Sequence, residues 1–176
     1  LQQGSNSPDV LLSIQQPNGK YTRVFIVEVG DGQLYASLHR KVSTYFQVGN
    51  IQRCLVIQLW MDDIVIRSPR TFSALAVDYV RNQGGPGATP VDAVFFGTKR
   101  GIKPCQLPAN IFRNWTGPYV PPVRGSHLIT IDTLSLFAGT QYPDGPPLAN
   151  AHLPGPYILD LFDIYSKLRL CNIVIN

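Results

Sequence analysis

Glutamate is nearly absent from this chain: among 176 residues it occurs once, at position 28. Long apolar runs are absent too. None approaches the roughly 20 residues of a membrane-spanning helix, which excludes that class. Only 15% of residues are charged while 44% are hydrophobic, a balance that excludes disorder and specifies a buried core. The three cysteines, Cys54, Cys105 and Cys171, are odd in number and far apart, with no C-x-x-C pair and no Cys/His cluster. Neither a zinc site nor a disulfide framework is therefore indicated, and an intracellular home is expected. No signal peptide, internal repeat or dividing linker is visible, so residues 1–176 are read as a single domain. What the chain has in quantity is turn formers, 15 glycines and 15 prolines, which favour a loop-rich domain over a helical bundle. A net charge of +4 permits a polyanionic partner without demanding one.

Hydrophobic periodicity orders the chain. Asp9–Ile14 reads as a short strand, and Asn18-Gly19 is the strongest two-residue hairpin signal available. Tyr21–Val29 reads as a strand covered on both faces, because it is apolar on both parities from Val24 onward. Gln33–Val48 has helical spacing and stops at Gly49; Leu34, Leu38, Val42, Tyr45 and Val48 share one face. Residues 53–61, Ile64–Ile66 and Phe72–Val80 follow as strands. GGPGATP (84–90) is expected to be a loop, and Val91–Phe96 with Ile102–Leu107 a hairpin tipped by GTKRG. Leu128–Ile131 reads as a short strand entering a helical turn. A last helix is expected to open at Pro156, with Ile158, Leu161, Phe162, Tyr165 and Leu168 as its stripe.

The single glutamate lies inside the most apolar run, VFIVEVGDG. If Asn18 and Gly19 are the two loop residues, Pro17 faces Lys20, and counting back along both strands sets Asp9 opposite Glu28. Directly opposed residues share a face, with Cβ atoms roughly 4.5–5.5 Å apart. Two carboxylates so close repel unless one is protonated or a cation sits between them, and a hard divalent ion such as Mg²⁺ is the usual resolution. On the helical wheel Lys41 falls within the apolar stripe of the following helix, and could reach over the Glu28 strand. His39 and Arg40 point elsewhere on that wheel, and Tyr45 reads as a core residue. Lys99, Arg100 and Lys103 form a basic hairpin tip suited to phosphates.

Taken in order, these residues resemble the PD-(D/E)XK nuclease superfamily. The likeness is nearest to the bacterial putative restriction endonuclease domain and its uncharacterised fungal relatives. It is carried by Pro8-Asp9, a hairpin, Glu28-Val29 ending an apolar strand, Lys41-Val42-Ser43-Thr44-Tyr45 on a helix, then Gly49 and the strand CLVIQLW. ITIDTLSLFAG and the closing helix add to it. The resemblance implies an α/β, restriction-endonuclease-like fold: a central mixed β-sheet flanked by helices, with additional β-hairpins and long Pro/Gly-rich loops. The usual first helix and strand would lie upstream of residue 1. It further implies a metal-dependent nuclease in which Asp9 and Glu28 hold Mg²⁺ or Mn²⁺ and Asp9, Glu28 and Lys41 are catalytic. Nucleic acid would be the partner, DNA before RNA, with Lys99, Arg100 and Lys103 on its phosphates; a homodimer is compatible with this reading and a membrane partner is not expected. The chain departs from the pattern at Gly30, where the superfamily's usual lysine stands two residues after the glutamate, and at Gly30-Asp31-Gly32, where the relatives carry a serine.

Two rival readings come from other classes. One is a catalytically inactive descendant of the same superfamily, serving as a binding or scaffolding module. The other is an all-β jelly roll, suggested by short strands and abundant Pro and Gly.

Overall fold

The computed structural model describes residues 7–15, 18–31, 34–48, 50–61, 72–98, 107–113, 121–136 and 155–170. Six strands form one mixed sheet in sequential order: β1 Val10–Gln15, β2 Tyr21–Asp31, β3 Arg53–Met61, β4 Phe72–Arg81, β5 Ala88–Gly97 and β6 Phe112–Arg113. Helix α1, Tyr35–Val48, crosses from β2 to β3, and this crossover makes those two strands parallel; β5 and β6 are also parallel, and the remaining neighbours are antiparallel. A second, two-stranded sheet pairs β7 Leu128–Ile131 with β8 Tyr157–Asp160. The short helix α2, Thr133–Leu136, follows β7, and α3, Leu161–Leu170, follows β8. The fold is thus α/β, and α1 and α3 exclude an all-β jelly roll.

Strand alternation builds two apolar layers. On one face Ile26, Cys54, Val56, Leu75, Val77 and Phe95 meet Tyr35, Leu38, Val42 and Phe46 of α1. On the other, Leu55, Ile57, Ala74, Ala76, Val94 and Phe96 meet Ile129 and Ile131 of β7, Leu136 of α2, and Leu161 and Tyr165 of α3. Both faces of β3 and β4 are covered, which is why their sequences are apolar on both parities.

The hairpin reaches the expected alignment by an unexpected route. The ladder closes at Gln15↔Tyr21, one residue out of the register that a two-residue Asn18-Gly19 loop requires. Gly19 turns the chain with φ 75°, and Asn18 Oδ1 accepts from Lys20 N–H at 3.0 Å. A bulge between Leu12 and Ser13 then restores the register, so that Val10 faces Val27. The paired ladder ends there, and Asp9 continues it only through its side chain, which accepts from Val29 N–H at 2.7 Å.

Two expectations need correction. Residues 88–90 are not loop: Ala88 opens β5, and the tight connection is closed by Asn82 N–H donating to Gly87 O at 2.9 Å. Helix α3 begins at Leu161 and not at Pro156. Tyr157–Asp160 is extended because it pairs with Leu128–Ile131, and Ile158 is exposed opposite Thr130. Asp160 caps the helix, accepting from Phe162 N–H at 3.0 Å. Among the described residues β5 has β4 and β6 as its partners; the expected Ile102–Leu107 strand falls, up to residue 106, outside the described residues, as does Ile64–Ile66. Among the described residues no helix is long and apolar enough to cross a membrane.

Candidate active site

Glu28 lies on the α1 side of β2, between the buried positions Ile26 and Gly30, and is 2% exposed. Its carboxylate is met by two residues one helical turn apart. Lys41 Nζ donates to Oε1 in an ion pair, and Tyr45 hydroxyl donates to Oε2 at 3.0 Å. The Lys41 ammonium also reaches Ser7 O at 3.3 Å and lies 6.0 Å from the centre of the Tyr45 ring. Lys41 therefore projects toward Glu28, as its place on the helical wheel predicts.

The helix presents a different stripe from the expected one. Leu34 precedes the helix and is 77% exposed, while the buried face is Tyr35, Leu38, Val42 and Phe46. At about 100° per residue this turns the stripe so that Lys41 and Tyr45 lie on one flank and His39 on the other. Tyr45 packs against the core, as expected, and in addition gives its hydroxyl to Glu28. His39 points elsewhere than Glu28, as expected: its Nδ1 lies 2.9 Å from the Tyr79 hydroxyl on β4, which also bonds the Tyr35 hydroxyl. Burial above all pushes the Tyr79 phenol far above its ordinary value, and raises that of Tyr35 to about 12.

Asp9 is exposed, and its Oδ2 accepts from Val29 N–H at 2.7 Å, prolonging the β1–β2 ladder with a side chain. Its charge reaches the same place. The Tyr45 phenol is pushed well above its ordinary value by burial first, then by its bond to Glu28 and the negative charge of Glu28, with Cys54 and Asp9 adding. Tyr45 accordingly stays a neutral donor at any physiological pH. The Cys54 thiol, fully buried on β3, is pushed up by burial and by Glu28 and Asp78, against the pull of Lys41. Gln58, one strand over and also fully buried, donates through Nε2 to Gly30 O at 3.2 Å, and its Oε1 has no partner among the described residues.

Gly30 marks a close approach of α1 to β2. A Cβ there would run into the Leu38 side chain of α1, with Cγ at 3.0 Å. The close approach of helix to strand requires the missing side chain. Gly30→Lys is expected to destabilise the fold by about 1–3 kcal/mol through overpacking, and Gly30→Lys/Leu38→Ala to recover part of that loss. Denaturant titration checks both; a Gly30→Lys protein as stable as the wild type would show that α1 is not seated on this position.

The carboxylates on this edge of the sheet are those of Glu28 and Asp9. Both Glu28 oxygens are engaged, Oε1 by Lys41 and Oε2 by Tyr45, so an ion at Glu28 would meet an oxygen already in use, while Asp9 is accessible at the sheet edge. Among the described residues no group of three or more His, Cys, Asp or Glu side chains gathers that could hold a metal. Two carboxylates suit Mg²⁺, which keeps several waters, better than zinc, which takes three or four protein ligands. Lys99, Arg100 and Lys103 lie outside the described residues.

A second charged cluster, on the opposite face, escaped the sequence reading. Arg53, 6% exposed, grips Asp78, 1% exposed, with Nε 2.8 Å from Oδ1 and Nη2 on Oδ2. The same guanidinium donates to Thr130 O at 2.8 Å and to Ser135 Oγ at 3.2 Å, tying the small sheet and α2 to the large one. Next to it, Asp92 faces Asp78 across the β4–β5 ladder and is paired with Arg113. His127, buried nearby, holds Ser126 Oγ at 2.6 Å through Nδ1; burial and Arg113 push its imidazole below the ordinary value, with Asp160 opposing.

Comparison with known proteins finds no similarity: no family model, no curated protein and no solved structure matches the chain.

Proposed function

We propose that this chain is a metal-dependent nuclease of the PD-(D/E)XK type whose active-site lysine has moved from the strand to the helix. The observation that carries the reading is the pairing of buried Glu28 with Lys41 of α1, beside a strand glycine whose Cβ would crowd the Leu38 side chain. The helix supplies the ammonium, and the strand position two after Glu28 carries no side chain. The mixed sheet with a helix crossing between parallel β2 and β3 supports a restriction-endonuclease-like architecture.

In this reading Asp9 and Glu28 hold Mg²⁺ or Mn²⁺. When bound, such an ion polarises a phosphate oxygen and acidifies a coordinated water. Tyr45 fixes the Glu28 carboxylate by donating to Oε2, which leaves Oε1 as the oxygen facing Lys41. The Lys41 ammonium, part-exposed at the rim, opposes the negative charge that grows on the phosphate oxygens as the bond to the leaving group breaks. Lys99, Arg100 and Lys103 are proposed to bind flanking phosphates, with DNA the first substrate to test and RNA the second.

The inactive-module reading has an observation of its own. Both oxygens of Glu28 are engaged by the chain itself and Asp9 is bonded to Val29 N–H, an arrangement that also suits a purely structural ion pair. Incubation with duplex and single-stranded DNA, and with RNA, separates the two. Cleavage that requires Mg²⁺ or Mn²⁺ and stops with EDTA supports the nuclease. Absence of cleavage, together with a melting temperature that divalent ions do not move, supports the module.

A further inference from the structure

Glu28 Oε1 is the point of contact for Lys41, and it is also where the nuclease reading puts a cation. Resting on that reading, we propose that Lys41 and the divalent cation compete for Oε1, so that cation binding releases the ammonium to meet the substrate phosphate. Lys41 is then a switched residue, held by Glu28 until a metal takes its place.

Four observations lead to this. First, space is short: Glu28 is 2% exposed, and its Oε2 is already bonded to Tyr45. An ion about 2.1 Å from Oε1 would lie within a few ångströms of an ammonium bonded to the same oxygen, and two cations that close repel strongly in a part-buried site. Second, the charge count favours exchange. Asp9 and Glu28 carry two negative charges against the one positive charge of Lys41, so a divalent ion alone balances them and an ion plus the bound ammonium overshoots.

Third, Tyr45 does not compete. Its hydroxyl donates to Oε2 at 3.0 Å and not to Oε1, so it holds the carboxylate in place whether Oε1 meets an ammonium or an ion. Fourth, Lys41 has somewhere to go. Its side chain is 27% exposed and its ammonium already reaches Ser7 O at 3.3 Å, on the outer side of the site. The flexible four-carbon stem of lysine permits that outward move without disturbing the helix.

The test measures binding of Mg²⁺ and Mn²⁺ alone, by calorimetry and by melting temperature, in wild type, Lys41→Met, Lys41→Gln and Glu28→Gln. Both Lys41 variants are expected to bind the ion more tightly than wild type, by tenfold in order of magnitude or more. Glu28→Gln should abolish binding. Wild-type protein labelled with ¹⁵N lysine gives an independent readout that survives a Lys41 variant failing to fold. The Lys41 ammonium resonance, assigned by its loss in Lys41→Gln or its shift in Glu28→Gln, should move over the same Mg²⁺ range that saturates binding. Equal or weaker binding in the Lys41 variants, with Glu28→Gln still abolishing it, overturns the competition and leaves the metal site standing. An ammonium resonance indifferent to saturating Mg²⁺ overturns it likewise. No binding by any of the four proteins overturns both the competition and the nuclease reading beneath it.

Discussion

Arg53→Met should destabilise the fold by about 3–5 kcal/mol, because it leaves the Asp78 carboxylate buried and uncompensated. Asp78 is 1% exposed, and burial already raises its carboxyl above the ordinary value, with Arg53 pulling it back and Asp92 pushing it further up. Removing the guanidinium removes the opposing pull. The sign of the pH dependence follows. A carboxyl with a raised folded-state pKa costs nothing below its unfolded pKa, where both states are protonated. Its cost develops as pH rises from the unfolded pKa through the folded one. The deficit of Arg53→Met relative to wild type is therefore largest at neutral pH and shrinks in mild acid. Arg53→Met/Asp78→Leu, which replaces the pair with apolar side chains, should recover most of the loss, although Thr130 O and Ser135 still lose a donor. Urea titrations at neutral and mildly acid pH measure all three. A single variant within 1 kcal/mol of wild type would mean that the pair does not join the two sheets energetically.

That ion pair marks the limit of what the sequence discloses. Arg53 opens the run RCLVIQLWM and Asp78 sits near the end of FSALAVDYV, so each looks like a polar residue at a strand end. Only the β3–β4 register, with Leu55 opposite Asp78, brings them together, and nothing local in either segment specifies that register. Pro156 misled for a related reason. It satisfies the rule for a helix start, and Ile158 falls on an apolar stripe, but a tertiary partner, β7, claimed Tyr157–Asp160 first. Local propensity loses where a strand finds a mate.

The candidate site was more legible, though partly by compensation. The ladder closes at Gln15↔Tyr21, and the bulge at Leu12/Ser13 cancels the resulting shift, so Val10 still faces Val27 as the two-residue count requires. Lys41 could be placed because a lysine bordering an apolar helical stripe has few directions open to it. Tyr45 was hidden by its own chemistry. An aromatic ring on that flank reads as core, and its hydroxyl becomes informative only when Glu28 is seen beneath it. The apolar surroundings of Glu28 were the strongest signal in the chain, since a lone carboxylate in such a run must find a cation or a donor.

Glu28→Gln should abolish metal-dependent cleavage and also destabilise the protein. Two carboxylates facing each other would lead one to expect the opposite for stability, because removing one charge relieves repulsion. The structure changes the sign. Glu28 is engaged by Lys41 and Tyr45, and Asp9 by Val29 N–H, so the substitution breaks an attractive pair. Glutamine keeps an acceptor oxygen for one donor and presents its NH₂ group to the other. The Lys41 ammonium, with a side chain 27% exposed, recovers part of its solvation, so the expected loss is about 1–3 kcal/mol, short of the penalty for a fully buried pair. Glu28→Gln/Lys41→Met removes both charges and should lie closer to wild type than the single variants predict when added. Cleavage should fall to background in both proteins, since neither retains the carboxylate that holds the ion. Chemical denaturation without metal, alongside a cleavage assay with Mn²⁺, separates the two effects. A Glu28→Gln protein that is more stable than wild type would show that the Lys41 pair does not stabilise the fold. One that cleaves at the wild-type rate would remove Glu28 from the chemistry altogether.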